Sequence, residues 1–137
     1  LANGIDIFQK LIAPYKGRVI YVDVWGTWCD PCMSEMEHIS QLHEALDGLP
    51  VTYMYLANNS PEELWQKAAK RFGLDGSDCN NLRLPDNQQL AVEDYLGVSG
   101  FPTFLIVAPD GSIVSSDAPR PSNPSGVRDA IINILAK

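Results

Sequence analysis

The segment Trp28-Cys29-Asp30-Pro31-Cys32 constrains this chain more than any other. It follows the apolar run Val19-Ile-Tyr-Val-Asp-Val-Trp25, so the two cysteines fall where a strand hands over to a helix. Residues three apart on a helix share a face, and one turn can therefore hold the pair as a dithiol or as a disulfide. A C-x-x-C in that setting is a redox motif. Taken alone it is also half of a zinc site, which normally needs four Cys or His ligands.

The chain has 137 residues. That is one domain, residues 1–137, able to bury about two-thirds of its unfolded surface. Its formal net charge of −7 argues against nucleic acid and anionic membrane surfaces, which call for basic patches. No apolar run approaches the length of a membrane span. The chain opens on Leu1 without a signal peptide, and the expectation is a processed form or an excised piece of a longer protein. Three cysteines cannot form a fully paired disulfide framework. Cys29 and Cys32 make one pair. Cys79, in the polar stretch 76–81, is left as an isolated thiol, with a resolving or regulatory cysteine as the alternative.

The pattern predicts a short helix over 5–13 and a central strand over 19–25, apolar enough to be covered on both faces. A long helix is predicted from about Cys29 to Leu46, with Pro31 in its first turn and an inward stripe of Met36, Ile39, Leu42, His43 and Leu46. A second strand follows over 51–57. Ser60, Pro61 and Glu63 read as a capping box that opens a helix ending near Phe72 at Gly73. A short extended piece is expected at 82–84, a helix over 88–96 stopped by Gly97, a strand over 101–108, and a hairpin through Pro109-Asp-Gly111 into 112–115. Asn123-Pro124 caps a last helix. This order is that of an α/β sandwich with a mixed sheet.

Three strings carry a resemblance to a known family: Trp25-Gly-Thr-Trp28-Cys-Asp-Pro-Cys32, Asp23 six residues before the first cysteine, and Gly100-Phe-Pro-Thr103. Together they resemble the thioredoxin superfamily over about residues 17–136, and within it the TlpA-like extracytoplasmic reductases. The Gly-Thr-Trp-Cys-x-Pro-Cys string, Glu35 three after Cys32, and the long stretch 58–100 point to that group, which carries an insertion there. The resemblance implies a thioredoxin fold: a central mixed sheet flanked by helices, with the insertion between the second strand and a cis-proline loop at Phe101-Pro102. The family usually has a proline two residues after the glutamate. Here that position is Glu37, which implies a first helix without the usual kink. Asp23 is the thioredoxin-type residue and often not acidic in TlpA-like proteins, so this chain carries both family carboxylates.

Each residue then has an expected role. Cys29, at the helix start, meets unpaired N–H groups and the positive end of the dipole, which favour a thiolate. It is the nucleophile, and Cys32 is the resolving thiol. Asp30, between them, opposes thiolate formation and leans the pair toward a reductant; its plainer reading is a solvated charge. Asp23, among aliphatic and aromatic neighbours, is expected with a raised pKa, able to take the proton of Cys32; read alone it is an ordinary strand-end carboxylate. Glu35, one turn beyond Cys32, either shares that role or is an exposed helix charge. Trp28 packs over Cys29. Trp28, Asp30, Pro31, Phe101 and Pro102 form the substrate-docking surface, where an extended substrate strand can pair with backbone. Trp25 belongs to the core.

The expected activity is thiol-disulfide exchange, reducing protein disulfides through a Cys29 mixed disulfide. A disulfide oxidase or isomerase is the nearest alternative. A non-catalytic module and a metal binder using His38 or His43 are more distant ones. No metal and no bound cofactor beyond the Cys29–Cys32 disulfide are expected. By resemblance the protein is a monomer, periplasmic or extracytoplasmic, released from a longer anchored precursor. Its electrons come from a membrane-borne thiol donor, and its substrates are apocytochrome c, as in cytochrome c maturation, or secreted proteins under repair.

Overall fold

The computed structural model describes residues 2–137. Along the chain come α1 (Gly4–Ile12), a short 3-10 turn (Ala13–Tyr15), β1 (Val19–Trp25), α2 (Asp30–Met36), α3 (Ile39–Ala45), β2 (Val51–Ala57), α4 (Glu62–Phe72), β3 (Cys79–Leu82), α5 (Asp86–Leu96), β4 (Thr103–Val107), β5 (Ile113–Ser115) and α6 (Pro124–Leu135). One sheet runs in the order β3-β2-β1-β4-β5. β1, β2 and β3 are parallel, and β4 and β5 are antiparallel to their neighbours. This is the expected α/β class with a mixed sheet between helices.

All seven residues of β1 are buried, because helices cover both sides. Alternation sends Val19, Tyr21, Asp23 and Trp25 to one face and Ile20, Val22 and Val24 to the other. The first face packs against Cys29, Cys32, Met36, Ile39 and Leu42, and against Val127 and Ile131 of α6. The second packs against Phe8 and Ile12 of α1 and Val92 and Leu96 of α5. Asp23 therefore lies on the cysteine side by period alone. Gly73 and Gly97 end α4 and α5 in the left-handed region, with φ of 71° and 72°, which only glycine adopts without cost.

Three expectations change. The edge strand forms at 79–82 instead of 82–84. Its residues Cys-Asn-Asn-Leu have little strand preference, and pairing with β2, Tyr53 opposite Cys79 through Leu56 opposite Leu82, recruits them. Ser60 does not cap α4. Pro61 is the capping residue, without a side-chain bond, and the Ser60 hydroxyl is engaged elsewhere. The helix after the cysteines is broken despite the missing proline. The His38 N–H bonds the Glu35 carbonyl at 3.0 Å, a tightened turn between α2 and α3.

The apolar spacing accounts for the break. Met36, Ile39 and Leu42 are two successive steps of three, and all are buried. A regular helix at 3.6 residues per turn would rotate them off one face; a 3-10 step brings them back. His43 sits half-buried at the border, its ring 4.0 Å from that of Tyr53.

Glu37 has φ of −60°, close to what proline requires, and the N–H that a proline would remove makes only a long bond, 3.3 Å, to the Met33 carbonyl. Glu37→Pro is expected to cost less than about 2 kcal/mol, including its exposed 2.8 Å pair with Arg71. Ser34→Pro, inside α2, is expected to cost about 3 kcal/mol or more. Urea unfolding of the two variants checks the difference.

Candidate active site

Cys29 is the residue that caps α2. Its backbone is extended, with φ of −103°, and its sulfur accepts from the Cys32 N–H at 3.2 Å. Pro31 lies in the first turn, where a missing N–H costs nothing. The two sulfurs form a disulfide, with Cα atoms 5.2 Å apart. Both residues are buried, Cys29 at 4% exposure and Cys32 at 1%, so the outer member of the pair is the one at the helix start. Asp30 and Pro31 are exposed beside them.

Trp28 projects next to the pair at 52% exposure. Its ring meets Phe101 edge-on at 5.2 Å, and its indole N–H donates to the Asn58 carbonyl at 3.0 Å. Phe101-Pro102 is a cis peptide bond. The pairing of Val24 with Thr103 puts this bond at the end of β1 from which the cysteine loop departs. Trp28, Phe101 and Pro102 thus lie at the same end of the sheet as the cysteine loop. Trp25 is wholly buried, as expected of a core residue.

Asp23 is 2% exposed, and its Oδ1 has no hydrogen-bond partner. Burial first, and the negative charge of Glu35 second, push its carboxyl up to about 8. The expectation of a desolvated acid with a raised pKa is met in its environment. Glu35 is placed differently from a free proton acceptor. Its two oxygens accept from the Ser122 N–H and the Ser122 hydroxyl, each at 2.9 Å. Tyr21, on the same face of β1, donates its hydroxyl to the Pro119 carbonyl at 2.7 Å. These contacts strap the segment 117–123 across the cysteine side of the sheet.

Ser122 and Pro119 had no signal in the sequence, since 87 positions separate Ser122 from Glu35. Ser60 was also misread: its hydroxyl accepts from the Thr27 N–H at 2.9 Å and donates to the Asn58 carbonyl at 2.9 Å, fixing the loop before Cys29. The remaining candidates lie apart from the disulfide. His38 Nδ1 bonds Gln41 at 2.9 Å, and His43 Nε2 lies 3.4 Å from the Tyr55 hydroxyl. Among the described residues no group of three or more His, Cys, Asp or Glu is arranged to hold a metal. Cys79 is half-buried, and burial pushes its thiol up to about 11, which makes it a poor nucleophile near neutral pH.

A family model described as thioredoxin-like matches residues 17–113. The chain belongs to the thioredoxin-like family. Among curated members it is similar to the thiol-disulfide oxidoreductase ResA of Geobacillus thermodenitrificans, 26% identical over 77% of this chain and 57% of that protein. It is likewise similar to ResA of Halalkalibacterium halodurans, 28% identical over 72% of this chain and 53% of that protein. The chain thus spans little more than half the length of these relatives. A solution structure of a Bacteroides vulgatus protein described as a thiol-disulfide oxidoreductase superposes with a TM-score of 0.73 at 28% identity. That match covers 91% of this chain and 78% of the other. The TlpA-like resemblance drawn from the motifs stands.

The thioredoxin-like site makes stability depend on Asp23. The folded protein holds a proton that the unfolded chain, with an Asp near 3.9, releases. Below about pH 4 both states are protonated, and above about 8 both are ionised. Between those limits stability falls as pH rises, by up to about 1.4 kcal/mol per pH unit. Asp23→Asn is expected to remove that slope and to gain on the native chain from pH 5 to 8. Urea unfolding of both proteins at several pH values measures it.

Proposed function

We propose that this chain is a thiol-disulfide oxidoreductase working as a reductase of protein disulfides. The observation that carries the reading is the Cys29–Cys32 disulfide at the start of α2, with the buried carboxyl of Asp23 on the same face of the site.

In the reduced protein the Cys29 thiolate attacks one sulfur of a substrate disulfide. A Cys29–substrate S–S bond forms, and the other substrate sulfur leaves as a thiolate and takes a proton. Cys32 then loses its proton and attacks Cys29. The Cys29–Cys32 bond closes, the substrate leaves as its second thiol, and two electrons have passed to it. Asp23, with a carboxyl near 8, is matched to a thiol proton, and its ionised form, about a tenth of the group at pH 7, takes the Cys32 proton at little cost. Glu35 supports this by holding the 117–123 strap on the cysteine side of the sheet. The negative charge of Asp30 offsets part of the stabilisation of a Cys29 thiolate at the helix start, which favours the disulfide form and a reducing direction.

Trp28, Phe101 and Pro102 receive the substrate segment, and Asp30 and Pro31 border it. The redox pair needs no further cofactor. The resemblance to TlpA-like proteins supports an extracytoplasmic location, and we read the chain as a monomer. It would draw electrons from a membrane-borne thiol donor and serve cytochrome c maturation or the repair of secreted proteins.

Cys32→Ser is expected to accumulate a mixed disulfide on Cys29 with a model protein such as insulin, seen by mass spectrometry without reductant. Cys29→Ser is expected to form none, and both variants lose turnover. Trapping on Cys32 instead would reverse the assignment. Asp23→Asn is expected to slow the resolving step by about a hundredfold near neutral pH. In a Cys32→Ser background it should leave the first attack unchanged.

A further inference from the structure

Glu93 is a buried carboxylate that none of the roles above uses. It lies on α5, within the 58–100 insertion, and has no ion-pair partner among the described residues. Its donors are amides. Asn58 Nδ2 reaches its two oxygens at 3.0 and 2.8 Å, and Gln89 Nε2 reaches one of them at 2.8 Å. Gln89 is itself 1% exposed, and its Oε1 has no partner. Its amide is oriented for Glu93 at the expense of its own oxygen. A buried acid without a cation, supported by a half-satisfied amide, is a poor arrangement for stability. What it holds is Asn58.

Asn58 is the junction between the insertion and the cysteine loop. Its N–H donates to the Trp25 carbonyl at 2.7 Å. Its carbonyl accepts from the Trp28 indole and the Ser60 hydroxyl, and Ser60 in turn holds the Thr27 N–H. Every residue between β1 and Cys29 leans on this junction. Gly26 has no side chain there because a Cβ would collide with the Trp28 indole nitrogen and press on the Asn58 carbonyl.

We propose that Glu93 is a positioning residue for thiol exchange: through Asn58 it holds Trp28 edge-on against Phe101 and so sets access to Cys29. The proposal rests on the redox reading above. It gives the insertion a task at the site although none of its own side chains needs to touch the sulfurs. Asn58 carries the constraint in two directions, its side chain toward α5 and its carbonyl toward Trp28.

The test is the alkylation rate of Cys29 in the reduced protein with iodoacetamide, followed over a range of pH and read by mass spectrometry. The Tm of each variant is recorded, and exchange with glutathione disulfide is measured on the same samples. Glu93→Ala and Asn58→Ala are each expected to raise the limiting rate about fivefold, the part of the Asn58–Glu93 contact that is felt at Trp28. The midpoint of the pH profile should not move. The double variant should be no faster than either single one, because the two residues act through one contact. Glu93→Gln keeps an acceptor for Asn58 and should stay within about twofold of the native rate. Val92→Ala destabilises α5 from its other side, at a fully buried position, and should leave the rate unchanged.

The proposal is overturned if both alanine variants, at 93 and at 58, keep the native rate, or if Val92→Ala accelerates alkylation as much as they do. Failure of the redox reading would look different: Cys29 would alkylate normally, but the pair would never exchange with glutathione disulfide.

Discussion

A carboxyl buried in the middle of the sheet, on the same face as a disulfide, is the constraint around which this structure is arranged. Asp23 sits on a strand with no exposed residue, between Tyr55 and Phe104 on the neighbouring strands. Burial pushes its carboxyl up to about 8, so at pH 7 the protonated form is favoured by only about 1.4 kcal/mol. A group that close to balance can exchange its proton with a thiol. The helix carrying the cysteines packs on the same face of the sheet as this group, and the Glu35–Ser122 and Tyr21–Pro119 contacts hold the 117–123 strap on that side.

The same arrangement explains why the parts around the disulfide are tied together across long stretches of chain. Glu35 reaches Ser122, Tyr21 reaches Pro119, Thr27 reaches Ser60, and Trp28 reaches Asn58. Each contact ties a loop that lies beyond the ends of the strands. A sulfur attacked along one line needs its neighbours held to a fraction of an ångström, and loops alone do not provide that. The sheet positions Asp23 and the end of β1; the side-chain ties position everything beyond it.

Much of this was legible in the sequence, and the limit has a physical origin. The strands 19–25 and 51–57 stood out as continuous apolar runs, and the cysteine motif fixed where the first of them must hand over to a helix. Asp23 read alone was an ordinary strand-end carboxylate, and it was its position six residues before the first cysteine, shared with the family, that pointed to a role. What was not legible depended on distant partners. The strand at 79–82 is polar and exists by pairing with β2. The break at Glu37-His38 follows from two apolar steps of three that a stripe drawn by eye passes over. Ser60 matches a local capping pattern, yet its hydroxyl is worth more to the cysteine loop than to a helix that Pro61 already starts. Glu35 could be placed near the site by spacing, but nothing local pointed to Ser122.

The reduction potential of the Cys29–Cys32 pair tests the central claim most directly. It is measured by equilibrating the protein with dithiothreitol or glutathione and following tryptophan fluorescence, since Trp28 lies beside the pair and next to Phe101. A reductase gives one reversible two-electron transition near the value of thioredoxin, about −270 mV, or lower. A transition near −120 mV, the range of a strong oxidant, would contradict the reductase, and the absence of any reversible transition would contradict a redox site altogether.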